Sequence, residues 1–123
     1  AAQVKEVSFD KNSDKLTDAQ KAEIRTAVQE AAQKGNIDEV KILAWSDKEY
    51  PTENGKQTKE EVGLAKNRIK HLRAFLKDEL KVKSIDTHNM AERPNALEKM
   101  FNTGIFDLKA QASKGVVMIF RKR

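Results

Sequence analysis

The sequence contains no cysteine. Disulfide scaffolds and cysteine-ligated zinc sites are therefore excluded, while the redox compartment stays open. Histidine is scarce: His71 and His88 are the only two. His71 stands between Lys70 and Leu72, close to Arg73, and reads as a surface residue of a charged helix. His88 follows Asp86 and Thr87 and reads as a structural strand residue. There is no H-E-x-x-H, G-x-S-x-G, Walker loop or G-x-G-x-x-G. Metal hydrolysis, acyl transfer and nucleotide cradling thus lack their usual parts. Carboxylates are plentiful, but no pair is marked as a buried acid and base. The expectation is a protein that binds rather than catalyses, with no metal and no cofactor. Aromatic residues make up only 6%. They are not interleaved with the basic residues, which argues against a base-stacking platform and so against nucleic acid. No apolar run approaches the roughly 18 residues that a membrane helix needs.

What is there suffices for one domain. The chain has 123 residues, of which 35% are charged and 38% apolar. The apolar residues recur with clear periodicity, which argues against disorder. The net charge of +5 attracts anions such as nucleic acid, acidic lipid or an acidic wall polymer, or simply keeps a solvated surface soluble.

Val4 to Phe9 alternates apolar and polar residues, as a half-buried strand does. Thr17-Asp18-Ala19-Gln20 has the form of a capping box, and the helix behind it places Ile24, Ala27, Val28 and Ala31 on one face. Gly35-Asn36 is expected to end it in the left-handed conformation. Val40 to Trp45 reads as a central buried strand. A polar loop from Ser46 to Gln57 follows, then a second capping box, Thr58-Lys59-Glu60-Glu61. The longest helix starts there, with Val62, Ala65, Ile69, Leu72, Leu76 and Leu80 as its core stripe. Ser84 to Met90 reads as a third strand and Val116 to Phe120 as a last one. Between them, Asn95 could cap a short helix through Phe101. The fold class is α/β, of the α+β sandwich kind. Its order is βαβαβ-(short α)-β, with a mixed sheet whose helices pack on one face. One domain is expected over residues 1–123, with an insertion at 96–110.

One constellation carries chemistry. The buried strand ends in Ala44-Trp45-Ser46-Asp47, and Arg68 lies in the helix, one position short of Ile69. Ligands of α/β sheets tend to sit beyond the carboxyl ends of the strands. A carboxylate and a guanidinium at one rim can read a zwitterion: the first takes an ammonium, the second a carboxylate. A plain salt bridge pinning the loop is the other reading of the same pair.

The chain resembles the OmpA-like domain, a peptidoglycan-binding module of outer-membrane and flagellar-motor wall anchors. Val7-Ser8-Phe9-Asp10 is similar to its opening strand. Ala44-Trp45-Ser46-Asp47 is similar to its strand end, and Leu64-Ala65-Lys66-Asn67-Arg68 matches its helix motif. Ile85 to Met90 with Ala91-Glu92-Arg93-Pro94 resembles its third strand and turn. The resemblance implies that Asp47 binds the ammonium, and Arg68 the carboxylate, of diaminopimelate in the peptidoglycan stem peptide. It also implies a periplasmic place at the outer membrane or cell wall. The site residues expected are Asp47, Arg68, Ser46, Asn54 and Glu61. Glu61 stands where the family commonly has asparagine, and brings negative charge toward a place meant for a carboxylate. This opens an alternative: the fold is kept, the wall site is lost, and the domain binds another envelope protein or an anionic polymer. Lys66, Lys70, Arg73 and Lys77, at three- and four-residue spacing, would be the footprint of that alternative. Under the first reading, Arg68→Ala is expected to remove wall binding with little loss of stability.

Overall fold

The computed structural model describes residues 2–48, 57–92 and 112–122. Strand β1 is Ala2–Ser8, helix α1 Asp18–Lys34, strand β2 Ile37–Ala44 and helix α2 Lys59–Ala74. One turn of π-helix, Phe75–Glu79, extends α2; strands β3, Ile85–Asn89, and β4, Lys114–Arg121, are the last two elements among the described residues. The expected short helix at 95–101 and the insertion at 96–110 lie outside the described residues.

The four strands form one mixed sheet in the order β1-β4-β2-β3. β4 runs antiparallel to both β1 and β2, and β2 pairs with β3 in parallel. A parallel pair needs a long crossover, which α2 provides. Both helices begin as their sequences dictate. The Thr17 hydroxyl accepts from the Gln20 amide at 3.1 Å, and the Gln20 side chain accepts from the Thr17 amide at 2.9 Å. Thr58 and Glu61 repeat this reciprocal pair at 3.2 and 3.1 Å. Each box satisfies two amides that have no partner inside the helix. The end of α1 differs from expectation. Gly35 has φ 163° and ψ 170°, so the chain leaves the helix fully extended and enters β2 directly.

Strand alternation divides the apolar residues between two faces of the sheet. Val7, Val40, Ile42, Val117 and Ile119 pack with Ile24, Ala27, Val28 and Ala31 of α1 and with Leu72, Phe75 and Leu76. Leu43, Trp45, Met90, Val116 and Met118 form a second buried cluster. Among the described residues, both helices pack on the first face, as the sequence implies. The π turn, closed by the Leu80 amide on the Phe75 carbonyl at 3.2 Å, keeps the successive residues Phe75 and Leu76 both buried. Gly115 lies in register between Val7 and Ala44. A Cβ there would lie 2.9 Å from Leu72 Cδ1 and 3.1 Å from the Phe9 ring. Glycine leaves room for these two side chains, which a Cβ would have to displace.

Candidate functional site

β2 carries the chain outward to Trp45, Ser46 and Asp47 at the carboxyl end of the sheet. Arg68 meets them there from α2, but from inside the core. Its side chain is 0% exposed. The buried residues of α2 are Ala65, Arg68 and Leu72, while Ile69 is only partly buried. The core stripe thus takes in Arg68 beside Ile69, where the sequence reading set Arg68 next to the stripe.

Four hydrogen bonds make that burial tolerable. Nε donates to the Ser13 carbonyl at 2.8 Å and Nη1 to the Trp45 carbonyl at 3.0 Å. Nη2 donates to the Asp10 carbonyl at 3.2 Å and to Asp47 Oδ1 at 2.7 Å. The guanidinium also lies 5.0 Å from the centre of the Phe9 ring, a distance at which cation–π attraction operates. Arg68 therefore ties the loop after β1 to the end of β2.

Asp47 is the member of the pair that reaches the surface. Its side chain is 16% exposed. Oδ1 accepts from Arg68 and, at 2.7 Å, from the Ser113 hydroxyl. Oδ2 accepts from the Asn12 amide at 2.6 Å. Burial pushes the carboxyl up. The hydrogen bonds from Arg68, Asn12 and Ser113, with the Arg68 charge, outweigh it and hold the group below the ordinary carboxylate value. Two of these donors are held by left-handed backbone: Asn12 has φ 59° and Ser113 φ 63°. Such a conformation costs a non-glycine residue about 1 kcal/mol or more and is often found at functional sites.

In front of Asp47 lies a groove of about 850 Å³. Lys11 and Lys48 supply cations to its walls, Asp14, Glu60 and Glu61 carboxylates, and Thr58 and Asn67 neutral polar groups. Both signs of charge thus face one space. Glu61 lines it, but its Oε2 is bound to the Thr58 amide, which fixes its carboxylate at the helix start. Ser46 is wholly buried. Its hydroxyl donates to Gln57 and accepts from the Lys48 amide, and its carbonyl accepts from the Ser113 amide at 2.7 Å. It shapes the loop rather than facing the groove. Asn54 lies outside the described residues. Lys11, Asn12 and Ser113 escaped the sequence reading, because they join the site only through contacts distant along the chain.

No protein-family model matches this chain, and no curated protein does. Among solved structures, it is similar to the OmpA-like domain of FopA1 from Francisella tularensis subsp. tularensis SCHU S4. The two share 12% identity with a TM-score of 0.57, over 99% of this chain and 77% of that one. The fold is OmpA-like. At that identity the likeness speaks for the architecture, and the chemistry of an OmpA-like groove here has to come from this chain's own residues.

Proposed function

We propose that this domain binds the peptide stem of peptidoglycan without catalysis, at the groove in front of Asp47, and so attaches an envelope protein to the cell wall. The observation that carries the reading is the ionised Asp47 carboxylate, held by three donors at the edge of a groove that also bears lysines. A carboxylate offers about four acceptor positions. Arg68, Ser113 and Asn12 take three, and a ligand ammonium takes the fourth. Diaminopimelate carries an ammonium and a carboxylate on one carbon, and the carboxylate falls to Lys11 and Lys48.

Arg68 then has a different part from the one first expected. Its fork is spent on the protein's own carbonyls, so it orients Asp47 and keeps it charged. The OmpA-like fold supports the wall-binding reading and an envelope location.

Purified sacculi provide the test. Asp47→Asn should abolish co-sedimentation with sacculi, and Lys11→Ala with Lys48→Ala should weaken it at least tenfold, in proteins whose circular dichroism matches the wild type. Wild-type retention by Asp47→Asn would sink the proposal.

A further inference from the structure

A second groove lies away from Asp47, between α2 and β3. Among the described residues β3 is the last strand on its side, and only β2 pairs with it. The Ser84 carbonyl and the Met90 amide point inward, bonding to Val40 and Ala44 at 3.0 and 2.9 Å. By strand alternation, the amides and carbonyls of Ile85 and Thr87 and the amide of Asn89 point outward, while the Asn89 carbonyl accepts from the Glu92 amide at 3.2 Å. The space beside them measures about 1000 Å³. Its floor includes the half-buried Ile69 and Ile85, and its far wall carries Lys66, Lys70, Arg73 and Lys77.

These four cations are exposed, and none pairs with a carboxylate among the described residues. The acids nearby do not neutralise them. Asp86 is held by Lys41 at 3.0 Å and His88 at 2.8 Å, while Asp78 and Glu92 also line the groove without an ion pair to any of the four. The lengths also match. Lys66 to Lys77 is eleven steps of about 1.5 Å, or roughly 16 Å of helix. Five residues of extended chain, the length of β3, span about 17 Å.

From this geometry we infer that the β3 edge and the basic wall of α2 receive an extended acidic segment of a partner protein. The segment adds as a fifth strand beside Ile85–Asn89 and sets its carboxylates against Lys66, Lys70, Arg73 and Lys77. Open backbone groups favour a peptide over nucleic acid or lipid, because neither of those can continue a ladder.

The probe is a capped heptapeptide of alternating glutamate and valine, titrated into the intact chain and followed by backbone-amide NMR. The expected result is saturable shifts at Ile85, Thr87 and Asn89 and along residues 66–77. Binding should weaken at least tenfold in the double variant Lys70→Glu, Arg73→Glu, and be lost with a fully N-methylated heptapeptide of the same charge. Absence of saturation, or equal binding of the N-methylated peptide, overturns the inference. So does tighter binding of duplex DNA or phosphatidylglycerol vesicles through the same lysines. Asp47→Asn should leave this binding unchanged, which separates it from the wall-binding groove.

Discussion

Replacing Arg68 by alanine should damage the fold itself. The side chain is 0% exposed and gives four hydrogen bonds, three of them to carbonyls of Asp10, Ser13 and Trp45. Alanine takes this donor from those carbonyls, leaves Asp47 to Asn12 and Ser113 alone, and opens space beside Phe9. Hydrogen bonds to charged groups contribute about 1.5–3 kcal/mol each, though they do not add. Removing one partner of a buried pair costs about 3–5 kcal/mol, and that is the magnitude expected. Domains of this size have about 5–15 kcal/mol in total, so roughly a fifth of the stability or more is at stake. At about 4 °C per kcal/mol, the midpoint of thermal unfolding should fall by roughly 12–20 °C. Circular dichroism melts and urea titrations of Arg68→Ala and Arg68→Lys measure it. Lysine keeps the charge but loses the fork, and should fall in between. A loss below about 1 kcal/mol for alanine would return Arg68 to the role of a plain surface ion pair and refute the account of how Asp47 is held. The expectation of little stability loss, drawn from sequence, assumed a guanidinium that faces the groove.

Gly115→Ala should destabilise by about 1–3 kcal/mol through overpacking against Leu72 and Phe9; a urea midpoint equal to the wild type's would show that the two side chains yield freely. Asp47 has a lowered carboxyl pKa when folded, so its contribution to stability is present above its unfolded pKa and lost as pH falls through the folded one. The stability gap between wild type and Asp47→Asn should therefore be full at neutral pH and close below about pH 4; a gap constant down to pH 2 contradicts the assignment. Thr58→Ala should cost about 0.5–2 kcal/mol, read by urea unfolding, and should release Glu61 from the Thr58 amide; an unchanged midpoint would mean that the cap contributes nothing.

The parts of the fold legible in the sequence are those fixed by neighbours along the chain. Capping boxes at Thr17 and Thr58 need only three residues of context, and the unbroken apolar run Val116 to Phe120 is read from its own residues. The mixed sheet follows from the order of these elements. The groove was less legible for the same physical reason. Arg68 meets Ser13 across 55 positions, and Asp47 meets Ser113 across 66. Hydrophobic periodicity passes over an arginine, so Arg68 was set beside the stripe that it shares with Ala65 and Leu72. The left-handed turns at Asn12 and Ser113 carry no glycine to announce them. Gly35 illustrates the opposite case, a glycine that suggested a left-handed cap and is extended instead.

The most direct test of wall binding is a backbone-amide NMR titration of the domain with a soluble muropeptide containing diaminopimelate, beside one containing lysine in its place. The account predicts saturable shifts centred on Asn12, Asp47, Lys48 and the start of α2, much weaker with the lysine-type muropeptide, which lacks the second carboxylate. A flat titration on the spectrum of a folded protein, or equal response to both muropeptides, would contradict it.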